Sequence, residues 1–313
     1  MLHSVFRGGL GASLPALVLL FLLGSSMTVS AAEYAVATRM KVQYVEHDGV
    51  KLTGDLYTPK GRDKAPVIIA IHGGGWQAGA PSNYQYWGPY LAKNGYAVFA
   101  ISYRLSKPGA KSYPQAAYDV KAAIQYVRAN AAELGVDPAR IGVMGDSAGA
   151  HLASLVALAG DEFSSEYRND PHAATAANVK TVIGFYGVYD MLAQWQHDQL
   201  SRPRDQITEK FLGQSPMQNR RIYFDSSPTS YATVDRREKL GTRFLLIYGT
   251  QDDIVDPQTQ SQVFLNNLKQ AGFFARQTVI PGAGHFFAAW PVEPGSYNGQ
   301  AAPQVLMFLQ DGL

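Results

Sequence analysis

The 313-residue chain has no cysteine, so disulfides and a lipid-modified cysteine anchor are both excluded. It has no long run of lysine or arginine, and its formal net charge is only +2. That balance lacks the basic patch or tail on which nucleic-acid binders depend. Internal repeats and low-complexity tracts are missing as well. Charged residues are scarce at 17% against 46% hydrophobic, which leaves ample material for a folded core without cross-links. The length suits one large α/β domain or two modest ones.

Only one long apolar run is present, and it lies at the N-terminus. Arg7 supplies a short positive region, residues 10–23 are apolar, and Gly24, Ser25 and Ser26 break the run. Val29-Ser30-Ala31 and Ser30-Ala31-Ala32 both fit a small-residue cleavage site. The apolar stretch is shorter than the ~18–20 residues that cross a bilayer. A cleavable signal peptide over residues 1–31 is expected, with an uncleaved membrane anchor as the alternative. Residues 32–313 are then expected to form an exported, periplasmic or secreted domain with no stable membrane span.

Beyond a flexible lead-in at 32–40, residues 42–45 and 52–57 read as strands flanking His47-Asp48-Gly49, which carries the Asp-Gly signature of a tight hairpin. Residues 66–71 form a short continuous apolar run, the pattern of a strand buried on both faces. Helix-like and strand-like segments then alternate. Helices are expected at 84–93, 114–132, 148–159, 258–270 and 302–309. Strands are expected at 96–101, 141–144, 182–186, 244–248 and 276–280. Such alternation implies a mostly parallel sheet covered on both sides. Residues 191–240 interrupt the rhythm. They are polar, rich in Gln, Arg and Ser, and show no strand pattern, so a helical lid over the sheet edge is expected there.

Four local patterns carry chemistry. Gly145-Asp146-Ser147-Ala148-Gly149 follows the apolar strand at 141–144 and opens a helix. A sharp strand-to-helix reversal there would put Ser147 in a strained, exposed position suited to a nucleophile, with Gly145 and Gly149 relieving the clash between close backbones. His72-Gly73-Gly74-Gly75-Trp76 follows the strand at 66–71. Acyl transfer builds negative charge on the carbonyl oxygen, and fixed backbone N–H groups stabilise it. Gly74, Gly75 and Ala148 are the expected donors, and His72 is expected to brace the loop. A phosphate-cradling glycine loop is the alternative, but no lysine follows as such loops require. Gly282-Ala283-Gly284-His285 follows the strand at 276–280, so His285 is the candidate base. His151, one helical turn after Ser147, is read as structural because the serine would point away from its helix. The acid that orients the imidazole should follow the strand at 244–248. Asp252 is favoured there, ahead of Asp253 and Asp256, with Asp190 as a remote alternative. Trp76, Phe286, Phe287 and Trp290 flank these motifs as pocket or core residues.

Together with Ser102-Tyr103-Arg104-Leu105, these motifs resemble the esterase/lipase branch of the α/β-hydrolases, which includes hormone-sensitive-lipase-like and feruloyl-esterase-like members. The resemblance covers residues 42–311. It implies an eight-stranded, mostly parallel sheet with helices on both faces and a small lid. It also implies hydrolysis of small-molecule carboxylic esters without a cofactor. It supports Asp252 over Asp253, and Gly74, Gly75 and Ala148 as the oxyanion hole. Many members carry Asp-Tyr-Arg where this chain has Ser102-Tyr103-Arg104, and a second Gly where it has Ala150. An amidase such as a formamidase, or a peptidase, could use the same residues. A non-catalytic binding module on the same scaffold would have no need of all three.

Overall fold

A computed structural model of the chain describes residues 33–163 and 166–313. The expected signal peptide at residues 1–31 lies outside the described residues. Strand β1 (Val36–His47) and strand β2 (Val50–Pro59) form an antiparallel hairpin. Its turn places Asp48 at φ 51° and Gly49 at φ 74°, the left-handed pair that a two-residue hairpin turn demands. The flexible lead-in expected at 32–40 is therefore corrected from Val36 onward. Residues there pair with β2 although most are exposed, because an edge strand gains its ladder without burial.

Strand β3 (Ala65–Ile71) is buried throughout, as its continuous apolar run requires. Helix α1 (Trp87–Lys93) follows, shorter than expected because Pro81–Tyr84 forms a separate 3-10 turn. Then come β4 (Ala97–Ile101), α2 (Gln115–Ala129), α3 (Ala131–Leu134), β5 (Val136–Asp146), α4 (Ala148–Ala159) and β6 (Thr181–Phe185). The segment 191–240 holds four helices: α5 (Met191–Ser201), α6 (Ile207–Leu212), α7 (Arg220–Asp225) and α8 (Val234–Leu240). The chain closes with β7 (Arg243–Gly249), α9 (Val263–Gln270), β8 (Ala275–Ile280) and α10 (Tyr297–Gly312).

The eight strands form one sheet in the order β1-β2-β4-β3-β5-β6-β7-β8. The β1–β2 and β2–β4 pairs are antiparallel and the remaining five are parallel. Two apolar clusters, one on each face, make the core. Helix α4 is buried along its whole length, packed between the sheet and the helical insert. Among the described residues no helix is long and apolar enough to cross a membrane.

This topology decides where a site can form. From β3 the chain crosses to β4 on one side and then returns to β5 on the other, so the loops leaving β3 and β5 diverge. Such a reversal of strand order opens a crevice at the carboxyl ends of the strands. The glycine loop leaves β3 there, and Ser147 leaves β5.

Candidate active site

Ser147 joins β5 to α4 with φ 51° and ψ −118°, a conformation that costs a non-glycine residue energy and that only surrounding structure can hold. A Cβ on Gly145 would come within 2.3 Å of the Gly149 backbone, and one on Gly149 within 1.9 Å of the Ile71 carbonyl oxygen. The reversal therefore needs both glycines, as the sequence suggested.

His285 Nε2 lies 3.0 Å from Ser147 Oγ, and His285 Nδ1 lies 2.7 Å from Asp252 Oδ2. The other carboxylate oxygen of Asp252 accepts from the N–H groups of Ile254 and Val255, both at 3.0 Å. Tyr186 packs beside the imidazole at 4.4 Å between ring centroids, and its hydroxyl accepts from the Ala288 N–H. The structure thus brings Ser147, Asp252 and His285 into one hydrogen-bonded line. The other acids lie away from the imidazole or are engaged elsewhere. Asp253 is exposed, Asp256 accepts from Gln258 and Thr259, and Asp190 caps α5 by accepting from the Ala193 N–H.

The glycine loop approaches the same point. Gly74 (φ 113°) and Gly75 (φ 58°) occupy backbone conformations that disfavour side chains. Their N–H groups make no hydrogen bond among the described residues. Together with Ala148, at the start of α4, they line a cavity of 190 Å³ that also contains Ser147 and His285. Trp76 and Phe286 belong to the wall of this cavity, whereas Phe287 is buried in the core and Trp290 is exposed.

Three supports of this arrangement escaped the sequence reading. The Asp146 carboxylate accepts from the Gly73 N–H at 3.0 Å and from the Tyr84 hydroxyl at 3.1 Å, tying the serine turn to the glycine loop. Burial pushes that carboxyl up to about 6, against the pull of those two hydrogen bonds. The Trp76 indole N–H donates to His151 Nδ1 at 3.1 Å, and His151 Nε2 donates to the Ser226 carbonyl at 2.7 Å. His151 is therefore a neutral bridge from the glycine loop to the helical insert, and burial lowers its pKa to about 4. The third is the stack of Phe211 on Trp76, centroids 4.5 Å apart. The expected bracing role of His72 has a geometric counterpart. Its Nδ1 donates to the Gly73 carbonyl, and its ring stacks on Tyr103 at 4.4 Å. The motif position before the serine was the one available signal for Asp146; the partners of His151 lie too far along the chain to be read.

Among the described residues no group of three or more His, Asp or Glu is placed to hold a metal ion. The arrangement can deprotonate a hydroxyl beside a cavity lined by Gly74, Gly75 and Ala148, whose backbone N–H groups are the candidate donors to an oxyanion, which is the equipment of acyl transfer.

The sheet order, the serine turn and the loops that meet at it define the α/β-hydrolase fold. The family model described as BD-FAE matches residues 54–268, and the chain belongs to that family. It is similar to esterase LipC of Mycobacterium tuberculosis, 30% identical over 78% of this chain and 58% of that one. Among solved structures, a truncated carbohydrate esterase from gut microbiota superposes with a TM-score of 0.70, 26% identity, and coverage of 89% of this chain and 96% of that one. Thermogutta terrifontis esterase 2 phosphorylated by paraoxon gives 0.65, 26%, 88% and 92%. The chain spans about half the length of the curated relatives it matches.

Proposed function

We propose that the protein is a serine carboxylesterase that hydrolyses small-molecule carboxylic esters through an acyl-enzyme on Ser147. The reading is carried by one observation, the unbroken line Ser147 Oγ–His285–Asp252 opening onto a cavity lined by Gly74, Gly75 and Ala148. It is supported by family membership and by the esterase names of the relatives. A neighbour that paraoxon phosphorylates supports the nucleophilic reading further.

In this mechanism the His285 imidazole takes the Ser147 proton as the oxygen attacks the ester carbonyl. Asp252 holds Nδ1 protonated, so that Nε2 is the basic nitrogen, and it stabilises the imidazolium that forms. The N–H groups of Gly74, Gly75 and Ala148 receive the oxyanion. The tetrahedral intermediate collapses, and His285 gives its proton to the departing alkoxide, which leaves as the alcohol. Water then repeats the sequence on the acyl-enzyme, releasing the acid and restoring Ser147. Segment 191–240 acts as a lid in this reading, since Gln194, Arg202 and Ile207 form part of the cavity wall.

Hydrolysis of p-nitrophenyl acetate, with the matched anilide alongside, tests the reading. Turnover of the ester, lost by a factor of at least about 10⁴ in Ser147→Ala, is the expected result. Equal rates in the variant would remove Ser147 from the chemistry, and faster cleavage of the anilide would make the protein an amidase. Export is a separate proposal resting on residues 1–31. Cell fractionation should recover the processed chain outside the cytoplasm.

A further inference from the structure

The cavity over Ser147 is walled mainly by backbone and apolar side chains such as Val188, Ile207 and Ile254. One side chain other than His285 in that wall is ionisable, and it is Arg202, at the end of α5. Its Nη2 pairs with Asp205 Oδ2 at 2.9 Å. Its Nη1 is withdrawn from solvent and has no hydrogen-bond partner. A guanidinium N–H shielded from water and left unpaired is costly, and a bound acceptor would remove that cost. A wall meant only for alkyl chains has no use for it.

The adjoining surface points the same way. Gln77 belongs both to the cavity and to a neighbouring groove of 640 Å³. That groove carries Lys107, Lys111 and Lys210. None of the three forms an ion pair among the described residues. Its single acid, Glu209, has one carboxylate oxygen engaged by the Trp195 indole N–H at 2.6 Å. A groove lined by unpaired cations focuses a positive field toward the cavity it borders.

We infer that the preferred ester carries a carboxylate or equivalent anionic group, read by Arg202 inside the cavity and attracted by the lysine groove. The inference rests on the esterase reading above and names its substrate class. Two pairs of near-isosteric esters, followed by pH-stat, test it. Monoethyl succinate against ethyl 4-methylpentanoate places the charge on the acyl side. 3-Acetoxypropanoate against 3-methylbutyl acetate places it on the alcohol side. In at least one pair the charged ester should show a kcat/KM about tenfold or more above its neutral twin. That ratio should fall to about one in Arg202→Met and persist in part in Arg202→Lys. It should rise in Asp205→Asn, which removes the carboxylate paired with Nη2 and leaves the buried Asp198, one turn earlier on α5, as the remaining neighbouring acid, and it should narrow with added salt. Preference for the neutral ester in both pairs, or a charge preference undiminished in Arg202→Met, overturns the inference and leaves the esterase reading intact. Failure to hydrolyse all four esters and p-nitrophenyl acetate overturns both.

Discussion

Asp252 divides its carboxylate between two tasks, one oxygen on His285 Nδ1 and the other on the N–H groups of Ile254 and Val255. An amide in its place could still accept through one atom, but its NH₂ group would face either the imidazole or the two backbone donors. Asp252→Asn is therefore expected to lower kcat by about 10⁴-fold with little change in folding. Asp253→Asn, at an exposed side chain one residue on, should stay within about twofold of wild type. Parallel ester assays check both, and similar losses in the two variants would reassign the acid. At this scale the reacting residues were legible because each follows a strand, Ser147 and His285 sit among closely spaced glycines, and Asp252 stands in the loop where the resemblance places the acid. Their supports were not legible. Nothing in the sequence joins Trp76 to His151, 75 residues away, because that pairing exists only once the glycine loop and α4 share a face.

The helical insert at 191–240 meets the reacting centre through a few contacts. Phe211 on α6 is fully buried, stacks on Trp76 and meets His151 edge-on at 5.6 Å. Trp76 sits at φ 57°, directly after Gly75, so tertiary packing rather than local preference holds the glycine loop in place. Phe211→Ala should cost about 3–5 kcal/mol of stability. It should also lower kcat by about tenfold, because the loop donors lose their placement. Urea unfolding and steady-state kinetics on the folded variant measure the two effects. A destabilised variant with unchanged kcat would show that α6 is packing alone. The sequence marked this insert by what it lacked, a strand rhythm, but did not yield its four helices. Three of them begin at ordinary capping residues, Asp190, Asn219 and Thr233, each accepting from an N–H three residues on. α7 and α8, at 6 and 7 residues, leave too few turns for a clear apolar period, and α5, though 11 residues long, buries two polar residues, Gln194 and Asp198, where an apolar stripe would be sought. α6 has no side-chain cap at all and begins from a left-handed Gln206.

Across the whole molecule, buried histidines give stability two opposing dependences on pH. Burial lowers the pKa of His151 to about 4, so between about pH 6.5 and 4 the unfolded chain binds a proton that the folded one refuses. Stability then rises with pH through that window and is lost as pH falls. His47 behaves in the opposite sense. It lies buried between Asp119 and Asp170, with ring nitrogens 2.7 Å from each carboxylate and Arg104 and Tyr167 alongside. Burial pulls its pKa down, but the two carboxylates outweigh burial and raise it. Its contribution is therefore complete below the unfolded value and lost as pH climbs through the folded one. Raised carboxyls such as Asp146 overlap the acid window, so the net wild-type curve cannot isolate either histidine, whereas differences against single variants can. His151→Phe should be less stable than wild type at pH 7, and that deficit should shrink by about 2 kcal/mol at pH 5, because the wild type has by then lost that much stability through His151. The deficit of His47→Gln should instead shrink toward alkaline pH. Urea unfolding of the three proteins from about pH 5 to 9 reads both trends. A His151→Phe deficit constant from pH 7 to 5 would mean that the bridge from Trp76 to Ser226 accommodates a charged imidazole.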